Sequence, residues 1–505
     1  MTTRSRGTVI LIALVAMTAF AMLLPAAIGF TLREHRAARA FLYSAILLGS
    51  FAGLVYLANR SRAGRTGAFS HPFFVLTAAY IALPLIMAIP LTEAVPGLTL
   101  FRAWFEMTAS FTTTGASLLG DGVPVSVHVW RALVAWAGGA FVLVYALAIL
   151  APLNLGGFEV LTTSAPTTRD GPKLSDAHLG ARADLQSRDD VLARLGHNLR
   201  LVTPLYAGLT LLLWVGLSVT GIPPLRALVL AMSTLSTSGI VIPGADGLPA
   251  SVVAEAMIAL VLVTALSRAV WLGLGARGAG RRDWWRTEIR MGIALLACVA
   301  ALYALHVAFG TVTHGAAARL AELWAVLFTS LSFLTTTGFH SHLSPAADGF
   351  LSGTGGVVLF CLAVIGGGIA TTAGGVKLMR VFALLWQGRH EMGQLIYPSS
   401  IGGDGPAHRA LRTDGAFAAW LYVMVFMFSL TCAVAVLTLF GQTLESALQF
   451  ALAALTTTGP LAQVGPFNLV GWSGLGMAEQ ALLAFAMVLG RLDFLLLLSV
   501  LWPRR

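Results

Sequence analysis

The chain has 505 residues, of which 57% are hydrophobic and only 11% charged, and its formal net charge is +10. Soluble domains run at about 45–50% apolar and about 25% charged, so a series of water-solvated domains is excluded for most of this length. The mean hydropathy of +0.82 agrees, and the basic excess is therefore read against membrane spans rather than as a nucleic-acid footprint.

About 20 apolar residues cross a bilayer. The first apolar run, from Thr8 to about Phe30 behind Arg4 and Arg6, exceeds the roughly 7–15 residues of a secretory leader and reads as a first span. Long apolar helices follow at 40–58, 72–92, 128–151, 196–220, 250–275, 289–310, 353–385, 415–440 and 474–501, about ten spans in all. Cys298, Cys361 and Cys432 all fall inside apolar stretches without a CxxC. They read as small buried hydrophobes, not as a disulfide framework or a zinc site.

Charge orients the spans. Arg60, Arg62 and Arg65 follow the second, and Arg277, Arg281, Arg282 and Arg286 lie between the sixth and seventh. Arg380, Arg389, Arg409 and Arg412 lie between the eighth and ninth, and Arg504 and Arg505 end the chain. An even number of spans separates these segments, so one side collects them all. The positive-inside rule makes that side cytoplasmic, with both termini on it. The loop 31–39, with Arg33, Arg36 and Arg39, is the exception. The longest polar stretch, 152–195, contains Pro166, Asp170, Gly171, Pro172, Lys173, Asp189 and Asp190. It reads as a solvated cytoplasmic linker, a role compatible with docking a partner.

The informative feature is a repeat. Four times a span is followed by about 10–14 mostly apolar residues, a hydroxyl-rich tetrad ending in Gly, and another span. The tetrads are Thr112-Thr113-Thr114-Gly115, Ser236-Thr237-Ser238-Gly239, Thr335-Thr336-Thr337-Gly338 and Thr456-Thr457-Thr458-Gly459. The preceding segments are too short to cross lipid and have re-entrant length. Irregular backbone at that depth is tolerated only when buried in protein or lining a wet cavity. A cation filter needs backbone carbonyls to replace lost hydration, and glycine permits the backbone angles that aim them. The C-terminal ends of four short helices would add partial negative charge. One such tetrad is a weak signal; four in the same slot are a strong one.

These motifs resemble the potassium-translocating subunits of the Trk/Ktr/HKT superfamily, over about residues 70–501. The two additional N-terminal spans resemble the TrkH/TrkG type. Ala137-Gly138-Gly139, Asn154-Leu155-Gly156-Gly157, the Gly-rich run Gly366 to Lys377 and Leu489-Gly490-Arg491-Leu492-Asp493 match further family segments. The resemblance implies an all-α polytopic membrane protein with four pseudo-symmetric helix–pore loop–helix repeats around one ion path. It implies a potassium filter from Thr113, Thr114, Gly115, Thr237, Ser238, Gly239, Thr336, Thr337, Gly338, Thr457, Thr458 and Gly459. It implies an intramembrane gate from Gly366, Gly367, Gly368, Thr371, Thr372, Gly374, Gly375, Lys377 and Arg491. Ile369-Ala370 stands where the family has a smaller Ala-Gly pair, which implies a stiffer loop. Gly115 stands where some sodium-transporting plant relatives have serine, which favours potassium. The family adds a homodimer and a cytoplasmic nucleotide-binding regulatory subunit of the TrkA/KtrA type, in the inner membrane of a bacterium.

The expected division is then 1–66 for the two extra spans, 67–152, 196–276, 289–386 and 415–505 for the four repeats, and 153–195, 277–288 and 387–414 for cytoplasmic linkers. Read without the family, the glycines at 366–375 predict a mid-membrane loop, since each costs a helix about 1 kcal/mol against Ala. Arg491 sits deep in a span, where a charge faces a cavity or a partner. Glu106 precedes Gly115 by nine positions, where Leu230, Thr329 and Phe450 stand in the other repeats. It reads as a support for the first filter loop, an attractor of cations or a plain hydrogen-bonded acid of the pore helix. Asp121, Asp246 and Asp348 follow the tetrads as outer-loop acids, and His340 and His342 read as exposed loop residues. No nucleotide-binding fold stands in the sequence, so nucleotide control would come from a partner. No HExxH and no paired carboxylates on an intramembrane helix face stand in it, so a membrane enzyme is disfavoured. The rival transport reading is a sodium or poorly selective path, motivated by Ser236 and Ser238.

Overall fold

Uncharged runs of Leu, Ala, Val and Phe leave the backbone to satisfy its own hydrogen bonds in lipid, and a helix does so within one segment. The computed structural model describes residues 6–60, 72–120, 122–151, 188–243, 248, 250–267, 282–309, 316–344, 350, 354–396, 415–464 and 471–492, and these contain helices and loops without a strand. Three helices open the chain: α1 (Arg6–Ala21), α2 (Leu23–Thr31) and α3 (His35–Arg60). They pack on α4 (Pro72–Ala94) and α6 (Val125–Tyr145), with the short α5 (Leu100–Phe111) between these two. Helix α6 continues in π form over Ala146–Leu150.

The same long–short–long order returns. It is α7 (Arg188–Val219), α8 (Pro224–Ser236) and α9 (Val252–Leu262), then α10 (Arg282–Phe309), α11 (Ala316–Leu334) and α12 (Thr354–Ile365). After α13 (Leu378–Ile396) come α14 (Ala416–Leu439), α15 (Leu444–Leu455) and α16 (Met477–Leu492). Short helices start where sequence allows. Thr99 and Thr443 cap α5 and α15 by accepting from the amides of Arg102 and Ser446, and Pro224 occupies the first turn of α8, as cap and proline preferences predict.

The units close into a ring. Helix α6 packs on α8 of the next unit, α9 on α11, and α16 back on α5. At the third junction α12 stops at Ile365, and the loop 366–377 packs there instead on the tetrad after α15.

Six helical stretches are long and apolar enough to cross a membrane among the described residues: Leu11–Thr31, His35–Ala58, Val125–Leu150, Arg194–Val219, Thr287–Phe309 and Ala416–Leu439. Their outer faces expose Phe20, Phe51, Leu212, Ile293, Phe309 and Phe428, a belt whose natural solvent is lipid.

Several expectations need correction. The expected helix 353–385 is two helices, because the glycines interrupt it after Ile365. The expected span 250–275 ends as helix at Leu262, with a 3-10 turn over Val263–Ala265. The expected span 474–501 is helix over Met477–Leu492, and its part beyond Leu492 lies outside the described residues. Helix α11 has 19 residues rather than 10–14, since Ala316–Leu320 adds turns before the apolar segment. The cysteines are exposed rather than buried, because they stand on outward faces of α10, α12 and α14. The linker 153–187, Asn154 to Gly157, Asp121, Asp246, Asp348, Asp493 and the C-terminal arginines lie outside the described residues.

Candidate functional site

Each tetrad terminates its short helix in the same way. The second residue turns into the left-handed region: Thr113 at φ 55°, Thr237 at 54°, Thr336 at 56° and Thr457 at 54°. A β-branched residue there is a genuine outlier, and such strain, of order 1–3 kcal/mol each, persists only when the surroundings enforce it. Four identical turns are enforced by four identical bonding patterns. The third amide donates five residues back: Thr114 to Ala109, Ser238 to Ser233, Thr337 to Ser332 and Thr458 to Ala453, at 2.8–3.0 Å. The first and third hydroxyls bond each other in every tetrad, at 2.9, 3.0, 3.1 and 3.2 Å in chain order. Ser236 and Ser238 therefore keep the geometry of the threonines, and Ser238 adds a bond to Ser233 Oγ at 3.2 Å.

All twelve tetrad hydroxyl residues are fully buried, and the four segments meet. A Cβ on Gly115 would stand 1.8 Å from the carbonyl oxygen of Ser238, and one on Gly239 2.2 Å from that of Thr337. One on Gly338 would fall 2.8 Å from the ring of Pro460, and one on Gly459 2.4 Å from the amide of Ala116. Contacts thus run from first to second, second to third, third to fourth and fourth to first. Gly115, Gly239 and Gly338 have φ of 75°, 66° and 83°. Gly459 departs from them and opens a 3-10 helix whose first turn contains Pro460, a position that proline's fixed φ and missing N–H suit. The Gly459 amide donates to the Thr114 carbonyl at 2.6 Å, so that oxygen is shared with a neighbour rather than offered wholly to an ion. Pro460, whose ring lies against both Gly239 and Gly338, was readable in the sequence as the one proline following a tetrad.

The loop 366–377 is closed at its neck by bonds from the Val376 and Lys377 amides to the Val364 and Ile365 carbonyls, at 2.8 and 2.9 Å. Its glycines are required by contact. A Cβ on Gly366 would meet Gly374 O at 2.2 Å, on Gly368 Leu266 O at 2.3 Å, and on Gly374 Thr456 O at 2.1 Å. Gly367 and Gly375 are as crowded, against Ala265 O and Ala363 O. Ala370 holds φ 50°, a region that costs a non-glycine residue about 1–2 kcal/mol. Thr371 Oγ1 donates to Gly368 O at 2.8 Å, and the Lys377 ammonium donates to the Ala373 carbonyl.

The loop is tied to the tetrads. The Gly374 amide donates to Thr336 Oγ1 at 2.7 Å. Arg491, buried on α16, donates from Nη1 to Thr372 O and from Nε to Thr112 O, both at 2.5 Å, and from Nη2 to Thr113 Oγ1. The expected gate residues and the first expected filter segment therefore share one guanidinium. Close approach depends on further glycines: a Cβ on Gly490 would stand 2.3 Å from Leu455 O, and one on Gly138 2.0 Å from Phe111 O.

A second layer of polar side chains pins the chain leaving the first, third and fourth tetrads, and most of it is not visible from spacing alone. Glu106 accepts from the Leu118 amide at 2.8 Å and pairs with Arg131. In the third unit Thr329 Oγ1 accepts from the Ser341 amide at 3.2 Å, and Glu255 on α9 accepts from Ser341 Oγ at 2.7 Å and Trp324 Nε1 at 2.9 Å. In the fourth, Gln449 donates to the carbonyls of Leu461 and Ala462 at 3.3 and 3.1 Å. Glu288 on α10 holds the loop by accepting from the Ile369 amide at 3.0 Å. An acid inside an apolar helix was the available signal for Glu255; Glu288, among the charged residues at the start of α10, and Gln449 carried none.

No family model matches the chain. It is 27% identical over 500 residues to the Trk system potassium uptake protein TrkH of Salmonella typhimurium, covering 97% of this chain and 96% of that protein. It is 26% identical to TrkI of Halomonas elongata, over 85% of this chain and 83% of that one. It is 24% identical to TrkG of Escherichia coli, over 83% and 82%. The crystal structure of the potassium transporter TrkH from Vibrio parahaemolyticus superposes with a TM-score of 0.73 at 21% identity, covering 100% of this chain and 99% of that one. The resemblance to TrkH-type proteins thus extends over nearly the whole chain, and the shared fold is that of a helical membrane protein.

Proposed function

We propose that this TrkH-like chain takes up potassium across a bacterial cytoplasmic membrane through a filter of Thr114-Gly115, Ser238-Gly239, Thr337-Gly338 and Thr458-Gly459. The similarity to potassium uptake proteins along almost the full chain supports transport as the activity. One observation carries the filter: four Gly-terminated turns with the same left-handed threonine and the same hydroxyl bond meet around one place. Backbone oxygens held by such turns replace an ion's water, and buried turns with fixed partners keep the opening from collapsing at random. The membrane potential supplies the driving force, about 2.3 kcal/mol per charge per 100 mV.

The loop 366–377 is the gate in this reading. It lies against the Thr336 and Thr456–Thr457 turns, and Arg491 adds a positive charge beside it. A regulatory subunit acting from the cytoplasm would move the loop, and a homodimer is the assembly in this reading. The repeat division and linkers given above belong to the same proposal. Ser236 and Ser238, which motivate the sodium-path alternative, hold the same hydroxyl bond as the threonines, which supports the potassium reading.

The test is flux. Purified protein in liposomes is expected to pass rubidium well ahead of sodium, and to restore growth of a potassium-uptake-deficient bacterium at low external potassium. A sodium preference, or failure of rescue by well-expressed protein, overturns the reading.

A further inference from the structure

The chain leaving the third tetrad carries two imidazoles that potassium uptake does not use. Beyond the left-handed Gly338, residues 339–342 run without helix or turn, and where such a segment is extended successive side chains alternate between faces. Burial follows that alternation: Phe339 and Ser341 are buried, His340 is half-buried and His342 is exposed. The two histidines share the outward face, with ring centroids 5.5 Å apart and planes inclined at 51°.

The backbone beneath them is fixed. Ser341, between the two, donates from its amide to Thr329 Oγ1 at 3.2 Å and from Oγ to Glu255 Oε1 at 2.7 Å. The Phe339 amide donates to Ser332 Oγ at 2.6 Å, and the Leu343 amide to Ser341 Oγ at 3.3 Å. Rigid support under a ligand pair is what separates a site from two mobile side chains.

We propose that His340 and His342 bind one first-row divalent transition-metal ion, of the Zn2+, Ni2+ or Cu2+ class, and that an ion held there obstructs potassium uptake. Imidazole nitrogen suits these metals, whereas Mg2+ and Ca2+ require oxygen donors. A metal–nitrogen bond of about 2.0–2.1 Å places the ion roughly 3.2 Å from each ring centre, so a near-tetrahedral angle separates two rings by roughly 5.2 Å. The observed 5.5 Å needs only a small opening of that angle. No group of three or more His, Cys, Asp or Glu capable of holding a metal occurs among the described residues. Water completes the shell, and the site is one of modest, micromolar affinity. The histidines stand two and four positions beyond Gly338, so the bound charge repels a monovalent cation approaching that glycine. This second half rests on the filter reading; binding does not.

Calorimetric titration of the purified protein with Ni2+ and with Zn2+ at pH 7.5 tests binding. The chain has 11 histidines, so the readout is the difference between wild type and His342→Gln, whose exposed ring is replaced without disturbing packing. Wild type is expected to bind one more ion per chain than His342→Gln, and His340→Gln is expected to match the latter. Equal stoichiometry and affinity in all three overturns the site. Rubidium flux in liposomes, with Zn2+ buffered on both faces, tests obstruction. At least fivefold inhibition is expected in wild type, less than twofold in His342→Gln, and none with Ca2+. Loss of the extra ion in the variants beside an uninhibited wild-type flux overturns obstruction and leaves the metal site standing. Absence of rubidium flux in metal-free wild type counts against the filter reading alone.

Discussion

Arg491 and Thr372, 119 residues apart in the chain, are joined by a 2.5 Å hydrogen bond from the guanidinium Nη1 to the carbonyl oxygen. The same guanidinium reaches Thr112 and Thr113 at the first tetrad. Burying a charge is tolerated only with such bonds, and here the bonds fasten the Gly-rich loop to the candidate filter.

Arg491→Ala removes the fastening and the charge together. A unit charge roughly 8 Å from a passing ion at an effective dielectric of about 20 contributes about 2 kcal/mol of repulsion. Rubidium uptake in liposomes is therefore expected to rise by up to roughly thirtyfold, with Arg491→Lys intermediate because it keeps the charge and loses the fork. A variant as stable as wild type that conducts no faster would refute a blocking role.

Gly115→Ala probes the junction of the first and second tetrads. The added Cβ would lie 1.8 Å from Ser238 O at a φ of 75°, so backbone must move whatever side chain is chosen. Rubidium flux is expected to fall at least tenfold and the rubidium-to-sodium ratio to drop. Gly97→Ala, also at positive φ but with nothing within 4 Å, is the control for simple backbone strain. Equal effects from both would detach Gly115 from the ion path.

Much of this arrangement was legible in the sequence, because a hydroxyl tetrad ending in glycine marks a slot whatever surrounds it. The segments fall together as the four-fold repetition implies, and Arg491 meets the loop with which the family resemblance grouped it. Partners chosen by tertiary packing were not legible. Glu255 lies 86 residues from Ser341, and nothing local in either sequence links them. The left-handed threonines were hidden for a different reason: propensity assigns that conformation to glycine, and only the surrounding bonds overrule it. The cysteines misled because in a bilayer an apolar position is satisfied equally by lipid and by protein.

Gly374→Ala separates loop packing from loop flexibility. Its Cβ would meet Thr456 O at 2.1 Å and Thr457 Oγ1 at 2.4 Å, whereas one on Gly388 in α13 meets nothing within 4 Å. Gly374→Ala is expected to push the loop off the fourth tetrad and to raise basal uptake several-fold. Gly388→Ala, which relieves a helix of a poor former, is expected to leave uptake unchanged. Reversal of that order in a flux assay removes the loop from the role of gate.

The Glu106–Arg131 pair tests whether the support behind the first tetrad bears on selectivity. Both side chains are buried, and Glu106 also accepts from the Leu118 amide at 2.8 Å. Breaking a buried pair from one side strands the other charge, at a cost of about 3–5 kcal/mol, while removing both is far milder. Glu106→Gln keeps an acceptor for Leu118 but leaves Arg131 without its counter-charge, so it is expected to lower thermal stability and to relax the rubidium-to-sodium ratio. Glu106→Gln combined with Arg131→Met is expected to recover most of the stability. The Leu118 bond survives in both variants, so the selectivity of the double variant decides the matter. Recovery of the ratio shows that charge balance behind the loop, and not the bond to Leu118, sets the filter's shape. Persistent loss of the ratio in a stable double variant assigns that role to the ion pair's own geometry.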